Sequence, residues 1–148
     1  MISIKIKNNK TFMGELFAGN CFDSLYITNC LIKTFSVITI SGKRNYEWYE
    51  GEKESLKEYC SWMEIKEMVY NVIKGKKTPD LINITFVEEC ANEACNTGVL
   101  NLKYENDDIY IVVGYNYATF SMDKTDEKKW EKEVVTLLED KSVDFEIC

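Results

Sequence analysis

The chain has 148 residues, 45% of them apolar and 13% aromatic, enough for one sizeable core and so for a single globular domain over residues 1–148. It carries a net charge of −7 and no histidine, which removes Ser-His-Asp and Cys-His machinery, His-containing zinc sites and histidine acid-base relays. The acidity lies in the second half: residues 1–74 hold ten Lys/Arg against nine Asp/Glu, residues 75–148 eight against sixteen, so a uniformly basic nucleic-acid coat is excluded.

The opening Met1-Ile-Ser-Ile-Lys-Ile-Lys7 alternates apolar and polar residues and reads as a first strand, not a signal peptide or anchor. Asn8 or Asn9 caps a short helix carrying Phe12, Met13, Leu16 and Phe17, with Gly19 as its stop. From Phe22 to Ser41, β-branched and aromatic residues predict two antiparallel strands or one long bent one, closed by a turn at Gly42-Lys43-Arg44-Asn45. Two capping-box patterns follow, Ser55-x-x-Glu58 and Ser61-x-x-Glu64. The second opens a helix with Trp62, Ile65, Val69, Val72 and Ile73 on one face, ended by Gly75 and kept from resuming by Pro79, the only proline.

Four strands are then expected, at Ile82–Phe86, Leu100–Tyr104, Ile109–Val113 and Tyr117–Met122, with Glu105-Asn-Asp-Asp108 and Gly114-Tyr-Asn116 as tight turns of a meander. The loop Glu88–Gly98 has no determined form. A last helix over residues 126–140 places Trp130, Val134, Leu137 and Leu138 inward, and Ser142–Cys148 forms a short extended segment or frays. The order β-α-β-β-α-β-β-β-β-α predicts an α+β fold with about three helices on a largely antiparallel sheet. Helix, glycine stop, strand, turn and strand occur over residues 10–42 and again over 61–114, an echo that a pseudo-duplicated, clamp-like domain would produce.

No stretch approaches the roughly 20 apolar residues needed to span a bilayer, so a cytoplasmic location with reduced thiols is expected. The six cysteines (Cys21, Cys30, Cys60, Cys90, Cys95 and Cys148) then read as small side chains and not as a disulfide framework, and the isolated spacing around Cys90 and Cys95 lacks the two close pairs of a zinc site.

Several stretches together resemble an uncharacterised Firmicutes family catalogued only as a domain of unknown function (DUF5721-like). They are Ile2–Asn8 with Phe12-Met13, Ile32–Phe35 with Ile40–Gly42, Trp62 with Ile73-Lys-Gly-Lys-Lys-Thr-Pro79, Leu100-Asn-Leu-Lys-Tyr-Glu-Asn106, and Thr119–Lys124 with Trp130. The resemblance covers nearly the whole chain, is most specific at Ile73–Pro79 and Leu100–Asn106, and implies no activity. The loop around Cys90 and Cys95 departs from the pattern.

The segment Lys74-Gly-Lys-Lys-Thr-Pro79 resembles the end of a phosphate-binding loop, but it follows a helix and lacks the upstream glycine, which argues against nucleotide hydrolysis. Lys74, Lys76 and Lys77, joined by Lys43 and the single arginine Arg44, form a candidate basic patch, against the plainer role of capping a helix C-terminus. Tyr46, Trp48 and Tyr49 beside Glu47 and Glu50 form a second candidate contact surface, against the plainer role of covering a core edge. The expected function is a non-enzymatic protein-interaction or regulatory protein without cofactor or metal, its acidic half suited to inhibition or nucleic-acid mimicry. The alternatives are a sliding-clamp-like DNA module using Lys7, Lys10, Lys66 and Lys74, and a small-molecule enzyme using Glu88, Glu89, Asp107 and Asp108.

Overall fold

Alternating residues in the strands send one apolar set to a single face of a sheet, and the helices cover that face. The computed structural model describes residues 1–90 and 95–148. In chain order the elements are β1 (Ile2–Ile6), α1 (Asn9–Phe17), β2 (Tyr26–Lys33), β3 (Val37–Ser41), a 3-10 turn (Tyr46–Trp48), α2 (Trp62–Ile73), β4 (Leu81–Val87), β5 (Thr97–Glu105), β6 (Asp108–Asn116), α3 (Thr125–Asp140) and β7 (Phe145–Ile147). The strands form one seven-stranded sheet in the order β3-β2-β4-β5-β6-β1-β7, every pair antiparallel.

Ladder register stacks the inward residues in rows. Ile32, Ile82, Tyr104, Ile109 and Ile6 form one row, and Cys30, Ile84, Leu102, Ile111 and Ile4 the next. These residues join Phe12 and Leu16 of α1, Trp62, Ile65 and Val69 of α2, and Trp130, Val134 and Leu138 of α3 in one buried cluster. On the opposite, uncovered face Asn101 donates to Asn83 Oδ1 at 2.8 Å and to Thr85 Oγ1 at 3.0 Å, while Lys103 and Tyr110 are exposed.

Trp62 joins α1 to α2. Its buried indole donates from Nε1 to the Leu16 carbonyl oxygen at 2.7 Å, occupying an acceptor that the last turn of α1 leaves without a helical partner, and its own amide donates to Leu25 O at 2.8 Å. Ring contacts run on from Tyr70 through Phe17 and Trp62 to Phe86 and Phe22, with centroid separations of 5.5–5.6 Å. Two glycines permit close approaches: a side chain at Gly42 would run into the Ile27 carbonyl oxygen, and one at Gly98 into the Trp130 ring.

The α+β class, the three helices and the antiparallel sheet match expectation, as does the Asn106-Asp107 turn, where both residues take positive φ (54° and 64°). The order of the last elements differs. Residues 117–122 form no strand: β6, which they follow, already has β5 on one side and β1 on the other, so no hairpin with it is open to them. Gly114-Tyr115-Asn116 is not a turn but the end of β6, paired with Val99, Gly98 and Thr97. The tail, whose form was open, adds β7 beside β1, and Ser55-x-x-Glu58 opens no helix. The echo persists as topology: the order β3-β2-β4-β5 is symmetric about the β2–β4 ladder, with α1 leading into one hairpin and α2 into the other.

Trp62→Phe is expected to lower unfolding free energy by about 2 kcal/mol, because it strands the buried Leu16 carbonyl and leaves part of the indole volume empty. Chemical denaturation followed by far-UV circular dichroism measures this.

Candidate functional site

A wide concavity lies between α1 and α2 over one end of the sheet. Its volume is about 820 Å³. One wall is Met13, Gly14, Phe17 and Ala18 of α1, the other Lys66, Glu67, Tyr70 and Ile73 of α2, with Ile82 and Tyr104 as the floor and Lys74–Pro79 along the rim. The wall residues recur at three- and four-residue spacings because each helix turns a second stripe, beside its core stripe, toward the gap. Tyr70 remains 49% exposed.

Polar groups at the edge of this groove are already engaged. Lys66 Nζ sits 2.9 and 3.1 Å from the two Asp23 carboxylate oxygens and donates to Gly19 O at 2.8 Å. The Tyr104 hydroxyl donates to Asp107 Oδ1 at 3.0 Å, and burial together with that carboxylate raises its pKa. Lys74 and Lys77 line the groove with exposed side chains, and Lys76 is exposed beside them. A helix ending at Ile73, an extended Lys74 and a Gly75 at φ 149° swing this segment outward, and buried Pro79 pins its far end.

The sequence's two candidate surfaces thus occupy opposite ends of α2, and Arg44 belongs to neither as a free cation. The Arg44 side chain is 4% exposed. It pairs with both Glu64 oxygens at 2.9 and 3.0 Å, donates from Nη1 to Tyr49 Oη at 2.7 Å, and from Nε to Lys57 O at 2.7 Å. Glu64 also accepts the Ser61 amide at 2.7 Å, closing the capping box, so Arg44 fastens the 43–60 loop to the start of α2. Tyr49 lies under that guanidinium, and Tyr46 donates to Leu56 O at 3.2 Å. Trp48, 77% exposed, is the member of the cluster turned most fully to solvent.

A smaller cleft of about 290 Å³ between α3 and the end of β4 brings together Glu88, Glu133, Ser24 and Tyr26. Burial first, then a hydrogen bond to the Glu133 carboxyl, pushes the Glu88 carboxyl up to about 7. The four carboxylates singled out in the sequence do not converge: Glu88 faces this cleft, Glu89 is exposed, Asp107 bonds Tyr104, and Asp108 lies 3.9 Å from Lys5. Nor do three His, Cys, Asp or Glu groups gather around a metal-sized space among the described residues. Cys90 and Cys95, expected as thiols, are joined as a disulfide with Cα atoms 6.3 Å apart, because the β4–β5 pairing brings the two flanking strands side by side; residues 91–94 lie outside the described residues. Cys21 and Cys30 are free, with thiols pushed up to about 12, chiefly by burial, which keeps them protonated and unreactive.

Met13, Phe17, Tyr70 and Tyr104 carry the groove, and none of the four had been singled out as a site residue. The available signal was on α2, where Met63, Met68 and Tyr70 are apolar or aromatic positions lying outside the core stripe and all at least 49% exposed.

Two pH dependences of opposite sign follow from these contacts. The Arg44 guanidinium, then the Ser61 amide, hold the Glu64 carboxyl down to about 2, so its stabilisation is full above the unfolded value and lost as pH falls from about 4.5 toward 2. Glu64→Gln is expected to cost about 2 kcal/mol at pH 7, below the figure for a fully buried pair because Glu64 is 41% exposed, and to flatten that acid limb. Glu88, raised in the folded state, costs stability as pH climbs from about 4.5 to about 7. Glu88→Gln is expected to stabilise by about 1 kcal/mol at pH 8 and to change little at pH 4.5 or below. Urea titrations of each variant against the parent chain across pH 2–8 check both signs.

Searches of curated proteins and of solved structures returned no match. The model of the Family of unknown function (DUF5721) matches residues 15–146, a span running from within α1 into β7 that contains the Ile73–Pro79 and Leu100–Asn106 stretches and begins after Ile2–Asn8 and Phe12-Met13. With the match covering most of its length, the chain belongs to that family.

Proposed function

We propose that the protein is a non-enzymatic interaction or regulatory module of the cytoplasm and that the α1–α2 groove is its contact surface. One observation carries the reading: a half-open depression of about 820 Å³, walled by apolar side chains on two rigid helices, leaves Tyr70 49% exposed and Met13 and Phe17 half-buried. A concavity of that volume lined mainly by apolar side chains is suited to receiving apolar groups of another molecule. No helix among the described residues is long and apolar enough to cross a membrane.

The acidic half gives the nucleic-acid-mimic version of this reading less support. Of the six carboxylates of α3, Asp126, Glu127, Glu131 and Glu133 are interspersed with Lys128, Lys129 and Lys132, and Glu139 and Asp140 stand apart at its end, which breaks up any phosphate-like row. The clamp-like DNA module draws on the symmetric order β3-β2-β4-β5, a likeness of topology alone. Of its four lysines, Lys7 pairs with Glu146 at 3.7 Å and Lys66 with Asp23 at 2.9 Å, leaving Lys10 and Lys74 for phosphate. An enzymatic reading rests on the Glu88 carboxyl, raised by burial and by its hydrogen bond to Glu133, in a cleft that Ser24 and Tyr26 also line.

The test is site-specific photocrosslinking in the native host. A photoreactive phenylalanine at Tyr70 is expected to give a protein adduct that purified components reproduce, while the same group at Val112 on the uncovered sheet face gives none. Equal labelling at the two positions, or labelling at neither, overturns the proposal.

A further inference from the structure

We infer that the segment received by the groove is an acidic amphipathic helix of a partner protein, an inference that rests on the groove being the contact surface. Shape argues for a helix. The α2 wall runs from Lys66 to Lys74, about 12 Å at the helical rise, which matches two turns of a partner helix offering apolar residues at i, i+3 or i+4, and i+7. A channel bounded by two helices takes a third by setting its ridge of side chains between theirs.

Charge argues for acidity. Lys66 is saturated by Asp23 and by the Gly19 carbonyl, so it offers little to a newcomer. Lys74 and Lys77 stand on the rim with no ion-pair partner among the described residues, with Lys76 beside them and Lys10 on α1 three positions before Met13. The carboxylate opposing them in the lining is Glu67. The C-terminal end of α2 accounts for part of this cationic charge, since helix carbonyls attract cations, but that end amounts to about half an elementary charge against three neighbouring lysines. Elsewhere the molecule is acidic, with a net charge of −7, so an acidic segment is repelled from most of the surface and guided to this rim. A basic or neutral helix would gain the apolar contacts and forgo this steering.

The probe is a fluorescently labelled acidic amphipathic peptide of about 16 residues, with Leu and Phe on one helical stripe and Glu on the rest. Its controls are the same peptide with Lys in place of Glu and an acidic peptide of identical composition with the stripe scrambled. Fluorescence anisotropy with the full chain is expected to show saturable binding of the patterned acidic peptide alone, weakened about tenfold by Lys74→Glu with Lys77→Glu and by Met13→Glu, and unchanged by Lys43→Glu. All four substitutions lie at exposed or half-buried positions, and circular dichroism confirms each fold. Absence of binding up to about 1 mM peptide, equal binding of the Lys control, or indifference to the Lys74/Lys77 reversal overturns the inference. Crosslinking at Tyr70 is read separately: an adduct there with a basic or uncharged partner removes the acidic-helix inference and keeps the groove as contact surface, whereas labelling at neither position removes both.

Discussion

The hydrogen bond from the Trp62 indole to the Leu16 carbonyl sets the separation of α1 and α2, and much of the molecule is arranged around it. Near Trp62 the two helices are drawn together over the sheet through Phe17 and Phe86. Toward the other end of α2 the helices meet through the Phe17–Tyr70 ring contact, and the groove opens beside it. Phe17 takes part in both regions, since one ring contacts Trp62 in the core and Tyr70 in the groove wall.

Electrostatics sorts the cations in the same region. Arg44 is spent on Glu64 and the start of α2, Lys66 on Asp23 and the end of α1. Both are structural ties between segments remote in sequence. The cations left over near the groove are Lys10 and those on the segment that leaves α2, which have no ion-pair partner among the described residues.

Legibility in the sequence followed the range of the interactions. Local signals were sufficient for α2, where Ser61 and Glu64 form the capping box and the Trp62–Ile73 stripe packs inward, and for the Asn106-Asp107 turn, where two residues tolerant of positive φ meet. Signals depending on which strand lies beside which were not available. Gly114-Tyr-Asn116 has the composition of a turn, but Thr97–Val99 supplies a partner strand, and 117–122 has the composition of a strand but follows β6, whose two sides are taken by β5 and β1. Arg44 was misplaced for a related reason: its position next to a lysine in a turn suggested solvent, while its partner Glu64 lies twenty residues away. The groove was the least legible feature, because its lining comes from α1, α2, the 74–79 segment, β4 and β5, and its α1 wall and Tyr104 floor lie far in sequence from the stretch 66–82 that supplies the rest.

The place of β1 in the sheet has a consequence for how the chain folds. Ile4 faces Ile111 across the β1–β6 ladder, so the first strand made must wait for one more than a hundred residues later before it gains a neighbour, and β7 then closes over its other side. The hairpins β2–β3 and β5–β6 need only short loops and pair early, whereas β1 pays a large loop-closure entropy and arrives late. Until then Ile2, Ile4 and Ile6 present an unpaired apolar edge, which makes the first strand the segment of this chain with most opportunity for wrong pairing during synthesis.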